Sequence, residues 1–183
     1  AARGAEKASR RIPVVLAPLV PFGFSHHHLI FPGALSVSSQ TLLAVLGDLL
    51  ESLVRSGFTK MFILNGHGGN EECVRLAARN AALAHPVAVG AASYWTLARD
   101  SLAAFAQEHR LLRVPGHAGQ FETSLMLELC GELVRLDRIP AGARRTAATS
   151  GRIGTWERPL IERHSAWKDM DGYSDDPFAA RRE

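Results

Sequence analysis

The sequence is poor in the residues and runs that mark several classes of protein. It has two cysteines, Cys73 and Cys130, in 183 residues. They form no Cys-x-x-Cys pair and both fall in predicted helices, so they supply neither a disulfide framework nor a thiolate metal site. Buried free thiols in a reducing compartment are expected, and with them a cytoplasmic location. No apolar run approaches the ~20 residues that span a bilayer, and no signal-peptide pattern occurs, so no membrane partner is expected. An excess of one charge is also missing: 21 Lys and Arg stand against 18 Asp and Glu, a net +3. The basic pairs Arg10-Arg11, Arg144-Arg145 and Arg181-Arg182 are scattered. Such pairs belong to solvated surface, and no nucleic acid partner is expected. There is no internal repeat and no dinucleotide fingerprint. A G-x-S-x-G elbow is absent, which argues against a serine hydrolase, and the Lys and Ser/Thr of a P-loop are absent as well.

What is present is an ordinary globular composition, 46% hydrophobic and 21% charged, with enough residues to bury one core. The expectation is a single domain over 1–183, cut through a helix at both ends. Ala1–Arg11 looks like a helix under way, and the stretch from Asp176 to Glu183 looks like one beginning.

Between these ends, strand and helix patterns alternate. Ala1–Arg11 reads as a helix stopped before Pro13. Val14 to Leu19 reads as a short core strand, closed by Pro18 and Pro21. Phe22 to Gly33 is an irregular loop holding His26, His27 and His28. Ser38 or Ser39 caps a helix whose Leu42, Leu43, Leu46, Leu49, Leu50, Leu53 and Val54 form one stripe, ended by Gly57. A strand follows from Phe58 to Leu64. The next helix takes Asn70 as N-cap, carries Glu71 and Glu72 in its first turn, and ends at His85-Pro86. Val87–Tyr94 is a third strand and Leu97–His109 a helix. Pro115–Gly119 forms a loop and Gln120–Leu129 another helix. Ala141–Gly154 reads as a loop, and Glu157–Asp176 has no assignable period. This alternation predicts an α/β fold, three layers α/β/α around a mostly parallel central sheet.

The chain is organised around Asn65-Gly66-His67-Gly68-Gly69-Asn70, a glycine-rich turn between a strand and a helix. Open α/β sheets place their sites at such carboxyl ends. The turn is compatible with an incidental histidine, a phosphate cradle at the helix N-terminus or a functional His67. Three histidine-bearing loops, His26–His28, His67 and His117, fall on the same side of the predicted sheet. Glu122 lies on an otherwise apolar helix start, so it is either buried with a partner or turned into a cleft. Histidines and a carboxylate around a crevice fit a hydrolase with a bound metal or a histidine acid/base.

Several segments together resemble the creatininase (creatinine amidohydrolase) family. Asn65-Gly66-His67-Gly68-Gly69-Asn70 matches its central motif. Gly116-His117-Ala118-Gly119-Gln120-Phe121-Glu122-Thr123-Ser124 matches the motif HAGExETS. Phe31-Pro32-Gly33 after His28 matches its FPGT element, and Ser93-Tyr94-Trp95 occupies the expected strand end. Order and spacing agree to about Asp137. The resemblance implies a three-layer fold, often a homo-oligomer (a hexamer in the family), with a two-metal site of zinc or manganese that hydrolyses a cyclic or linear amide. It implies that His67 is a metal ligand, that His117 and Glu122 are catalytic, and that His28, Gly68 and Trp95 lie by the substrate.

The departures matter too. The family's Glu-x-His-Gly element with its downstream Asp has no counterpart here. Its acidic ligand positions are Gly69 and Gln120. Arg113-Val114 replace a Trp-Asp pair and Gly68 an aromatic residue, which argues against creatinine itself. Gly172–Pro177 resembles the family's late GDP-containing loop. One histidine cannot hold two divalent ions, since each needs three or four protein ligands. The chain alone is therefore expected to be inactive. The competing reading is a catalytically incompetent member or fragment that keeps only fold and oligomer contacts.

Overall fold

In the computed structural model, which describes residues 2–139 and 172–181, the chain opens with helix α1 (Ala2–Ser9). It stops before Pro13, as the restriction on the residue ahead of a proline requires. The strand expected over Val14–Leu19 does not form. Pro18 withholds an N–H donor within this stretch, Pro13 and Pro21 withhold donors on either side of it, and Val15 and Leu19 stay 76% and 84% exposed.

Helix α2 (Ser39–Arg55) keeps its predicted stripe except at Leu49, expected inside but 47% exposed. Ser38 Oγ accepts the Thr41 N–H at 3.1 Å, which satisfies one of the helix's orphan donors. Leu42, Leu46 and Leu50 are buried on one face, while Val45 and Leu49 face outward. Gly57 ends the run at φ 88°, a conformation that a residue without Cβ adopts cheaply.

Strand β1 (Lys60–Asn65) runs into the glycine-rich turn, helix α3 (Glu71–Ala84) returns, and strand β2 (Ala88–Ser93) pairs parallel to β1. This is a strand–helix–strand crossover, the connection that parallel pairing demands. Among the described residues the sheet has these two strands. Their register runs from Lys60 opposite Ala88 to Asn65 opposite Ser93, so both strands end level at the site. Leu42, Leu46, Leu50, Cys73, Val74 and Ala77 form the core, with Met61, Ile63, Val89 and Ala91 packed against it. Each fully buried leucine there contributes about 1.5–3 kcal/mol. Gly90 is small because the Phe62 ring lies over it; a Cβ would stand 2.6 Å from that ring. Cys73 and Cys130 are both free thiols.

One turn detail differs from expectation. Asn70 does not cap α3 with its side chain. Its Oδ1 instead accepts the Phe24 N–H at 2.9 Å. Glu71, in the first turn as expected, is 2% exposed.

The short helix α4 (Tyr94–Leu97) follows β2. These elements form one compact unit, residues 1–26 and 35–97; residues 27–34 and 98–183 form a second. In the second, helix α5 (Arg99–Glu108) meets helix α6 (Gln120–Cys130) where the Phe105 and Phe121 rings stand 6.4 Å apart. The loop expected over 141–154 and most of the unassigned stretch after it, to residue 171, lie outside the described residues. No helix among the described residues is long and apolar enough to cross a membrane.

Candidate active site

The expected site residues divide between the units. His67, Gly68, Gly69 and Trp95 belong to the first; His28, His117, Gln120 and Glu122 belong to the second.

In the first unit the Asn65 side chain grips the backbone of His67 at both ends. Its Oδ1 accepts the His67 N–H at 3.1 Å, and its Nδ2 donates to the His67 carbonyl at 2.7 Å. The same Nδ2 donates to Ser93 Oγ at 2.9 Å, and Ser93 Oγ donates to Glu71 Oε1 at 2.5 Å. Asn65, Ser93 and Glu71 are 4%, 1% and 2% exposed. Trp95 is the second residue of α4, one beyond Tyr94, and its ring lies 4.9 Å from that of Tyr94.

In the second unit the His28 ring stacks on the His117 ring at 4.3 Å and 22°, which joins two of the histidine loops. The His117 backbone is also gripped at both ends: its N–H donates to Ser174 Oγ and its carbonyl accepts the Ser174 N–H, each at 2.7 Å. Ser174 Oγ donates to Asp175 Oδ1 at 2.7 Å, and Asp175 Oδ2 accepts the Gln120 N–H at 3.1 Å, at the start of α6. Gly119 is the residue that lets this carboxylate approach: a Cβ there would fall 1.8 Å from Asp175 Oδ1. A cavity of about 280 Å³ opens beside Ala118, with Thr123, Arg135 and Tyr173 in its lining.

Glu122 Oε2 accepts the Ala118 N–H at 2.7 Å. Burial pushes its carboxyl above the ordinary value of 4.5; the Ala118 N–H opposes the shift and the Asp175 charge adds to it. The fold thus holds the Glu122 proton more tightly than the unfolded chain does. The associated stability is fully present below about pH 4.5 and is lost as pH rises through the raised value. Thermal melts of wild type and Glu122→Gln from pH 4.5 upward are expected to show the wild type falling relative to the variant. A constant difference between the two would contradict the burial of this carboxyl.

Of the altered ligand positions, Gly69 offers no side-chain donor, and the Gln120 Nε2 is occupied by the Ala179 carbonyl at 3.2 Å. Sequence reasoning missed Glu71, Ser93, Ser174 and Asp175 as members of the site. Ser93 stood at a strand end already marked by the family resemblance, and Ser174-Asp175 stood in the late loop. Nothing local to Glu71 distinguishes it from a solvated glutamate in a first helical turn.

The family model described as creatininase, creatinine amidohydrolase, matches residues 1–183. Creatinine amidohydrolase of Pseudomonas putida is 31% identical over 147 residues, 73% of this chain and 56% of that protein. Mycofactocin precursor peptide peptidase of Mycobacterium ulcerans (strain Agy99) is 33% identical over 128 residues, 70% of this chain and 44% of that protein. The chain thus spans about half the length of the curated relatives it matches. The solved structure named creatininase Mn superposes with a TM-score of 0.66 at 26% identity, covering 98% of this chain and 72% of that one. With the α/β crossover, the gripped histidine turns and a match along its whole length, this chain belongs to the creatininase family.

Proposed function

We propose that the protein is a metal-dependent amidohydrolase that cleaves a cyclic or linear amide through a metal-activated water. The observation that carries this reading is His117 held at a fixed place: its backbone is gripped by Ser174, its ring is stacked on His28, and the partly buried Glu122 lies five residues on. A histidine so fixed is suited to general acid/base work.

The metal fit rests on donor chemistry. His67, its backbone set by Asn65, offers an imidazole, a good ligand for zinc or manganese. Gly69 and Gln120 add no strong donor, so these positions supply one ligand of the three or four that each ion needs. When bound, zinc or manganese would acidify a water and polarise the amide carbonyl. His117 protonates the leaving nitrogen. Glu122, whose proton the fold favours, is the second acid, and His28, Gly68 and Trp95 line the substrate side. Gly68 and Arg113-Val114 argue against creatinine as substrate, and one relative is named for a peptide. A single-domain cytoplasmic homo-oligomer completes the reading.

The second reading, a member without catalytic competence, draws on Gln120, whose amide is committed to Ala179. Metal analysis and amine release from creatinine, a lactam and a short peptide separate the two. Expressed at its natural length, the protein is expected to release amine from one of these amides, and only with zinc or manganese supplied. Neither bound metal nor turnover of any of them would favour the second reading.

A further inference from the structure

We infer that Glu71 is a positioning residue, which sets the place of His67 through Ser93 and Asn65. Glu71 is nearly inaccessible, yet it makes one short hydrogen bond: Oε1 accepts from Ser93 Oγ, while Oε2 accepts none and has the Arg75 guanidinium 3.8 Å away. A buried carboxylate held this sparingly is costly to keep, and replacement by an apolar residue would remove that cost.

The direction of the chain supplies its purpose. Glu71 Oε1 is the acceptor, so the single Ser93 hydroxyl hydrogen points at Glu71. Ser93 Oγ then presents only lone pairs to Asn65, which must turn its NH2 toward Ser93 and its Oδ1 the other way. In that orientation alone, the Asn65 amide both donates to the His67 carbonyl and accepts the His67 N–H. Turned over, the Asn65 amide would set donor against donor and acceptor against acceptor at both groups. Glu71 reaches across from the first turn of α3, Ser93 ends β2 and Asn65 ends β1. The relay therefore fixes the turn relative to both strand ends. Two residues outside the glycine-rich motif, Glu71 and Ser93, act through its own Asn65 to make its histidine rigid.

The inference rests on the proposed importance of His67, and two readouts keep the two claims apart. The first is hydrogen exchange of the 65–70 segment, followed by mass spectrometry with α2 as internal control. In Ser93→Ala and Glu71→Ala the turn is expected to exchange about tenfold faster while α2 is unchanged, and Glu71→Gln, which keeps an acceptor, is expected to restore wild-type protection. The second is a calorimetric titration with zinc alone, in which the same two variants are expected to bind about tenfold more weakly and Glu71→Gln normally. Unaltered exchange in Ser93→Ala overturns the inference, as does a Glu71→Gln variant as unprotected as Glu71→Ala. Faster exchange with zinc binding absent even in wild type upholds the positioning role and removes the metal role of His67.

Discussion

Replacing Gly119 with alanine is expected to destabilise the protein by about 3 kcal/mol, which lowers the melting temperature by about 10 °C for a chain of this size. The backbone is not the reason. Gly119 has φ −88° and ψ −158°, an extended conformation open to any residue. The reason is the space: the new methyl would lie 1.8 Å from Asp175 Oδ1 and 2.3 Å from its carboxyl carbon. Asp175 cannot swing aside cheaply, because it is 3% exposed and accepts from both Ser174 Oγ and the Gln120 N–H. Displacing it leaves those donors unmet in a dry site, which adds desolvation to the steric cost. A double-mutant cycle checks the cause. Gly119→Ala in an Asp175→Ala background should cost far less than in wild type, since the colliding group is gone. Additive losses would show that the clash is not the source.

On the proposed amidohydrolase reading, the His117→Ala substitution is expected to lower kcat/KM by about 10²–10⁴, the range associated with a single positioned acid/base. Melting should change little, since the grip of Ser174 is on the His117 backbone and survives loss of the ring. His28→Ala should cost less, because it removes the ring stacked on His117 at 4.3 Å and leaves the acid itself in place. In that variant the pH profile should keep its shape while the rate falls. Activity of His117→Ala within about threefold of wild type would remove this residue from the chemistry. An equal loss in both variants would make the stacked pair a structural wedge rather than an acid and its support.

The parts of this structure readable in advance were those governed by local periodicity. The α2 stripe of Leu42, Leu46 and Leu50 is set by a 3.6-residue repeat, and the strand before the glycine turn by the apolar run Met61–Leu64. The glycine turn and the His117 loop were visible because their residue order resembles a family. What escaped was the long-range pairing. Val14–Leu19 has a strand's composition, but pairing needs N–H donors; Pro18 removes one within the run, and Pro13 and Pro21 remove others on either side of it. Asn70 has an N-cap's identity and position, yet a backbone donor 46 residues earlier competes successfully for its oxygen. Glu71 and Asp175 are acidic residues in hydrophilic surroundings, and sequence-local burial rules place them outside. Each is buried because a hydroxyl or amide distant in the chain meets it: Ser93 for one, Gln120 for the other.

The contact between Asn70 and Gly23 carries an evolutionary corollary. A Cβ at position 23 would stand 2.6 Å from Asn70 Oδ1, the atom that already accepts the Phe24 N–H. Neither position can drift alone. A larger residue at 23 expels the asparagine, and a non-polar residue at 70 strands the Phe24 donor. Among relatives that keep this turn, substitutions at 23 and 70 should therefore arise as a pair, a covariation between sites 47 residues apart that reflects one hydrogen bond and the room it occupies.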